Sequence, residues 1–172
     1  AALCSHDGGA KTLVIEKSSQ FGGTSATSGG GVWIPNNRYA KAENVDDSDQ
    51  DARNYINSVS PEGMIKDELI ETYISEGPRM IDYLHENSQV KYRNLAHYPD
   101  YFPDNTGGKE GNRSMEPEPI FGTELGDDLG KLREQHPQTA FTMGPINMNF
   151  TQVEGQLLLG ALPGWKTQFA KL

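Results

Sequence analysis

The chain has 172 residues and a formal net charge of −9, with a sequence pI near 4.8. A surface for nucleic-acid phosphates needs clustered Lys and Arg, and 15 such residues scattered among 24 Asp and Glu exclude that class. Hydrophobic residues are only 35%, beside 19 glycines and 10 prolines, so the core is thin for this length, as in a slice of a larger enzyme; no apolar run approaches the roughly 18 residues that cross a bilayer, so no stable membrane insertion is expected.

Residues 1–11 read as the end of a helix closed by Gly8-Gly9. The single cysteine, Cys4, excludes an intrachain disulfide, suits a reducing, cytoplasmic setting, and reads as a small core residue of that helix. Leu13-Val14-Ile15 is a continuous apolar run ending at Glu16, the pattern of a strand buried on both faces of a parallel sheet. A helix running into such a strand is the second half of a βαβ unit. The Gly-x-Gly-x-x-Gly turn of the first half has no room before Ala1, so the chain is expected to be a piece of a longer protein. At a strand's carboxyl end, an acid such as Glu16 is placed to hold the adenosine ribose of a dinucleotide. Between Lys17 and Gly31 follow five glycines and six Ser or Thr, in two glycine clusters around Thr24-Ser25-Ala26-Thr27-Ser28. Glycine lets main-chain N–H groups approach a flat or anionic ligand, and small hydroxyls add donors without bulk. A plain flexible loop shares this composition; the strand-end acid directly before it favours the ligand.

From Asn36 to Asp51 the chain is polar and acidic. It reads as a surface connection, since the glycine and terminal Glu of a calcium loop are missing. Ser48 is placed to cap a helix through Ala52, Tyr55, Ile56 and Val59. Pro61 is expected to restart the chain as a helix with Ile65, Leu69 and Tyr73, alongside Ile70 and Ile74, on its packed side. Gly77-Pro78 should break it, Pro78 opening a further helix with Met80, Ile81 and Leu84 that ends at Asn87-Ser88. His85 reads as a surface residue, and Val90 to Arg93 alternates like a short strand.

The segment from His97 to Asp104 crowds His97, Tyr98, Tyr101 and Phe102 together, and side chains of this kind reward burial, so an ordered loop is expected. Gly107-Gly108 and Arg113-Ser114-Met115-Glu116-Pro117 follow. Phe121 to Leu129 reads as a turn and a short helix. His136-Pro137, Gly144-Pro145 and the Met143/Met148 pair read as an irregular crossing, and Val153 to Leu162 as a helix broken by Pro163-Gly164, before another that starts at Trp165. The sequence shows no metal-ligand spacing and no nucleophile elbow.

Three stretches together resemble flavoproteins related to fumarate reductase, and among them the 3-ketosteroid Δ1-dehydrogenases. They are Val14-Ile15-Glu16-Lys17; Phe21-Gly22-Gly23-Thr24-Ser25 with Ser28-Gly29-Gly30-Gly31-Val32-Trp33-Ile34-Pro35; and Tyr98-Pro99-Asp100-Tyr101 with its glycine and Arg-Ser-Met-Glu continuation. The resemblance implies an α/β fold, part of a Rossmann-like FAD-binding domain with a parallel sheet, helices and a helical, loop-rich excursion. It divides the chain into residues 1–35, the end of the βαβ unit with the flavin-binding loop, and 36–172, the excursion, with a substrate-side aromatic loop at 97–124. It implies FAD as cofactor, held by Glu16, Lys17 and Ser18 on the adenosine side, Gly22, Gly23, Thr24 and Ser25 at the pyrophosphate, and Ser28, Gly29 and Gly30 near the flavin ring. Tyr98 would lie beside a flat 3-oxosteroid, and Tyr101 would line the same site and assist the catalytic base. The family introduces a C1–C2 double bond by proton abstraction and hydride transfer to flavin, passing electrons to an acceptor such as a quinone. Its remaining catalytic tyrosines lie beyond this stretch of chain, so the stretch by itself is expected to be inactive.

Other readings stay open. A fumarate reductase-like enzyme would share the flavin stretch, but its dicarboxylate calls for Arg and His where this chain has Tyr, Phe and Pro. An NAD-dependent dehydrogenase would use Glu16 alike but needs no second glycine cluster. A non-catalytic remnant could keep the scaffold alone.

Overall fold

The structure is a computed structural model that describes residues 1–134, 141–143, 146–148 and 151–170. The chain divides into two compact units, one of Ala1–Ser28 with Ile120–Thr139 and one of Gly29–Pro119 with Ala140–Leu172.

In the first unit, α1 (Ala2–Asp7) ends at Gly8, and Gly9 takes φ 83°, so the expected glycine stop is in place. Cys4 is exposed rather than in a core, because α1 buries no residue. Leu13, Val14 and Ile15 form no strand and are 83%, 75% and 85% exposed. An extended segment becomes a strand only when a neighbour takes its N–H and C=O groups, and no described strand lies alongside this one. The next element, α2 (Gly23–Thr27), turns what reads as a loop into a short helix. Phe21 makes a parallel bridge to Leu132, its N–H donating to Lys131 O at 2.9 Å and its carbonyl accepting from Arg133 N at 2.9 Å. That pins α2 beside the end of a 3₁₀ segment, Gly122–Lys131, kinked at Gly126.

The second unit is built on a three-stranded antiparallel sheet. Its strands are β1 (Val32–Trp33), β2 (Tyr92–Asn94) and β3 (Ser114–Pro117), in the order β1-β3-β2. Val32 faces Met115, Trp33 faces Ser114, and Arg93 faces Glu116. The mixed α/β character holds, while the described sheets are antiparallel rather than parallel. Between β1 and β2 run α3 (Arg38–Ala42), α4 (Asp49–Val59) and α5 (Asp67–Asn87). Asn37 caps α3 by accepting from the N–H groups of Tyr39 and Ala40, and Ser48 caps α4 through Asp51 N, as its position before an acidic first turn requires.

Helix α5 departs from the sequence reading in three ways. It starts at Asp67, leaving Pro61 in the preceding turn, and it runs unbroken through Pro78. A helix-interior proline costs about 3 kcal/mol; here buried Ile74 and Ile81 anchor the helix on both sides of it. Its buried line is Ile70, Ile74 and Ile81, whereas Leu69 and Tyr73 stay partly exposed. Two buried clusters result, Ile34, Ile81 and Met115 under the sheet, and Ala52, Ile70 and Ile74 between α4 and α5. His85 is half-buried, not a free surface residue, because Tyr39 OH bonds its Nδ1 at 2.9 Å.

Strands β4 (Phe141–Met143) and β5 (Ile146–Met148) pair antiparallel, so the Met143/Met148 stretch is a pair of strands rather than an irregular crossing. His136-Pro137 and Gly144-Pro145 lie outside the described residues. Then α6 (Gln152–Leu159), opened by a Thr151–Glu154 capping box, and α7 (Trp165–Phe169) follow. Among the described residues no helix is long and apolar enough to cross a membrane, and no group of three His, Cys, Asp or Glu could hold a metal.

Candidate functional site

The second unit contains an apolar cavity of about 320 Å³, lined by Trp33 and Ser114 from the sheet, Tyr55, Ile56 and Val59 from α4, and the loop from Tyr98 to Phe102. Tyr98 and Tyr101, far from α4 in sequence, therefore share one wall with it. Tyr101 is 84% exposed and Phe102 58%, so both rings stand at the mouth. Tyr55 and Val59 are one helical turn apart and so present one face of α4. Trp33 packs between aromatic neighbours, its ring centroid 5.8 Å from Tyr55 and 6.2 Å from Tyr73.

Beneath the loop lies a buried charge network. Asp100, only 5% exposed, accepts the indole N–H of Trp33 at 2.7 Å, the Nη1 of Arg113 at 2.8 Å and the backbone N–H of Lys109 at 3.0 Å. Arg113, 1% exposed, also donates Nε and Nη2 to the two oxygens of Asp47 at 3.1 and 2.7 Å. Its guanidinium lies 5.5 Å from the Trp33 ring centroid and 5.7 Å from that of Tyr55. Burial works against this cation, but Asp47 and Asp100 outweigh it and hold its pKa above the ordinary guanidinium value. Burial likewise raises the phenol pKa of Tyr73, whose hydroxyl donates to Trp33 O.

Glycines let the loop seat on α4. A Cβ on Gly107, which has φ 81°, would stand 2.2 Å from Asp51 O and 2.9 Å from Tyr55 N. One on Gly108 would stand 2.3 Å from Pro103 O. Lys109 Nζ then reaches Asp51 Oδ2 at 3.0 Å, and this pairing lowers the Asp51 pKa, partly opposed by burial.

The dinucleotide candidates divide between the units. In the first, Glu16, Lys17 and Ser18 are exposed, and Glu16 Oε1 accepts Ser18 N at 2.8 Å. Gly22 caps α2 with φ 110°, where a Cβ would strike that of Ala26 at 2.6 Å. Gly23 has φ 52° and open space where its Cβ would be, and no side chain caps the α2 N-terminus. Its first-turn N–H groups, including those of Thr24 and Ser25, are thus free of intrahelical acceptors. Ser28 Oγ turns back to Ser25 O at 3.1 Å. In the second unit Gly29 faces open space, whereas Gly30 takes φ 67° with a Cβ position 2.9 Å from Pro117 Cγ, so close packing on β3 accounts for that glycine.

Sequence reasoning missed Trp33, Tyr55, Ile56 and Val59 as cavity residues and Asp100 as the buried carboxylate beneath them; Arg113 was read only as part of a supporting loop. The i, i+4 spacing of Tyr55 and Val59 was a usable signal. Nothing local could show that Arg113 faces Asp47 and Asp100.

Residues 1–161 match the FAD binding domain family. The chain is 35% identical over 153 residues to a 3-oxosteroid 1-dehydrogenase of Mycolicibacterium smegmatis, covering 89% of this chain and 27% of that protein. It is 34% identical to a 4-oxocyclohexanecarboxylate 2-dehydrogenase of Sinomonas cyclohexanicum, covering 83% of this chain and 25% of that one. The crystal structure of 3-ketosteroid delta1-dehydrogenase from Sterolibacterium denitrificans, in complex with 1,4-androstadiene-3,17-dione, superposes with a TM-score of 0.86 at 36% identity, over 99% of this chain and 29% of that one. The chain thus spans about a quarter of the length of the relatives it matches. The residues present fit the cofactor of this family: open main-chain donors and an unobstructed Gly23 suit a pyrophosphate, and exposed Glu16 suits ribose hydroxyls. The chain belongs to the FAD binding domain family, whose cofactor is FAD.

Proposed function

We propose that this chain forms part of an FAD-dependent 3-oxosteroid 1-dehydrogenase, which introduces a C1–C2 double bond into a 3-oxosteroid. The observation that carries this reading is the aromatic cavity, lined by Tyr98, Trp33, Ile56 and Val59 with Tyr101 at its mouth. The wall is largely apolar, and its lining includes no Lys, Arg or His, its one charged group being the Asp100 carboxylate. Arg113 lies close by, but both its carboxylate partners are already in place. A dicarboxylate, or a ring acid such as the substrate named for the Sinomonas relative, would find no cation on this wall; an uncharged steroid needs none. This favours the steroid over the fumarate-type reading.

FAD, when bound, accepts the hydride that side chains cannot take. The chain's own part is to bind, orient and exclude water. Glu16, with Lys17 and Ser18 beside it, holds the adenosine end. Gly22, Gly23, Thr24 and Ser25 would offer main-chain N–H groups to the pyrophosphate, and Ser28, Gly29 and Gly30 would serve the flavin side. Tyr98 lies against the steroid, and Trp33, Ile56 and Val59 keep water from it. Tyr101 contributes its phenol to the proton-transfer network that removes the proton made acidic by the neighbouring 3-oxo group. Electrons leave to an external acceptor, a quinone or a similar molecule, in a cytoplasmic setting.

The test is the visible spectrum of the full-length, FAD-loaded protein before and after anaerobic addition of a 3-oxosteroid. Bleaching of the flavin bands is the expected result. Flavin bands that persist with steroid but bleach with 4-oxocyclohexanecarboxylate would overturn the substrate assignment.

A further inference from the structure

Tyr101 stands at the cavity mouth with most of its surface exposed, so side-chain packing does not fix its place. The residues on either side of it are held instead. Before it, the Asp100 carboxylate is bonded by Trp33 Nε1, Arg113 Nη1 and Lys109 N, while its own backbone N–H donates to Lys109 O at 2.9 Å. After it, the backbone N–H of Phe102 donates to the buried hydroxyl of Tyr55 at 3.3 Å. Burying a carboxylate and a guanidinium is a poor way to gain stability alone, since apolar residues of similar size do as well or better. The network ties down the chain at Asp100, directly before Tyr101.

We propose that Asp100 and Tyr55 are positioning residues for Tyr101, gripping the main chain on each side so that its phenol is held at the cavity mouth. This rests on the role given to Tyr101 under the proposed function. Neither residue takes part in proton transfer. Each acts through the placement of Tyr101, so its effect falls on turnover rather than substrate affinity. Tyr55→Phe keeps the ring against Trp33 and removes only the acceptor for Phe102 N–H. Asp100→Asn keeps the shape and removes the charge.

The experiment compares Tyr55→Phe, Asp100→Asn, Tyr101→Phe and the Tyr55→Phe/Tyr101→Phe double variant in the FAD-loaded, full-length protein. It reads kcat and KM for a 3-oxosteroid, and amide hydrogen exchange across residues 98–104. The expected result is faster exchange at Asp100 and Phe102 in the first two variants. Their kcat should fall about ten- to hundred-fold with KM little changed, as for a displaced catalytic group. The double variant should lose no more than Tyr101→Phe alone, because Tyr55 acts through the group already removed. Unchanged exchange in Tyr55→Phe, or a double variant whose loss is the product of the two single losses, would overturn the proposal. Should Tyr101→Phe by itself leave kcat unchanged, the catalytic reading of Tyr101 fails. Exchange then decides the positioning alone: faster exchange sustains it and unchanged exchange overturns it. If Asp100→Asn fails to fold, Tyr55→Phe carries the test by itself, because it leaves the buried charges unaltered.

Discussion

The glycine-rich segment of the first unit and the aromatic loop of the second are both irregular, and they solve opposite problems. Around α2 the main chain offers N–H groups that no side chain caps, Glu16 points into solvent, and Leu13 to Ile15 are bare. Around Asp100 every feature is internally closed: the carboxylate has three donors, the guanidinium two carboxylates, and the glycines sit against backbone. We read the open main-chain donors around α2 as left for a ligand, whereas a wall for an apolar substrate would have to satisfy its own polar groups first. Mutations should therefore separate the two cleanly, the loop responding in stability and turnover, the glycine segment in ligand affinity.

The largest expected effect is on the closed side. Arg113→Met leaves Asp47 and Asp100 buried without their partner, and should cost about 3–5 kcal/mol in urea or thermal unfolding; a loss under about 1 kcal/mol would show that the network is not a closed unit. Tyr101→Phe should lower kcat by about 10²–10⁴-fold, the usual weight of a group in proton transfer, and leave the melting temperature unchanged because the ring is exposed. Gly107→Ala is expected to destabilise by about 3 kcal/mol, since it combines a positive φ with a clash against the α4 backbone. On the open side, Glu16→Gln should leave the FAD-free protein as stable as before. By losing charge-assisted hydrogen bonds worth about 1.5–2 kcal/mol, it should weaken FAD binding by tenfold or somewhat more, read by calorimetric titration. A fall in stability without a fall in affinity would reverse the contrast.

The smallest effect concerns pH. The Asp51 pKa lies below its unfolded value chiefly because of Lys109. The pair therefore stabilises the fold above the ordinary carboxylate pKa of about 4, and that contribution is lost as pH falls through the lower folded value. For a partly exposed pair it amounts to less than about 1 kcal/mol. Lys109→Met should remove this pH-dependent part, seen as a flatter melting-temperature profile between about pH 5 and pH 3.

What was readable from the sequence was local. Ser48, Gly8 and the end of α5 at Asn87-Ser88 are set by neighbours within a turn or two, and all three stand where the residues indicate. Tyr98 and Tyr101 were singled out through the resemblance of their loop to the dehydrogenase family, not from spacing, and both line one cavity. Leu13-Val14-Ile15 misled because a strand is a property of two segments, and only one can be read from a run of apolar residues. Pro78 misled in the opposite sense: its local cost was plain, while the packing of Ile74 and Ile81 that offsets it is tertiary. The Arg113 network was illegible for the same reason, since Asp47 lies 66 positions away.

The seating of Trp33 has an optical consequence. Its indole N–H is bonded to a buried carboxylate, a guanidinium lies near its ring, and two tyrosines flank it. The sequence has only one other tryptophan, Trp165, at the solvent-exposed start of α7. Within this stretch of chain, replacing Trp165 with Phe leaves Trp33 as the one indole, seated against the aromatic loop, so the colour and quenching of its fluorescence report whether that loop is seated, readable in solution within the time of a stopped-flow mixing experiment.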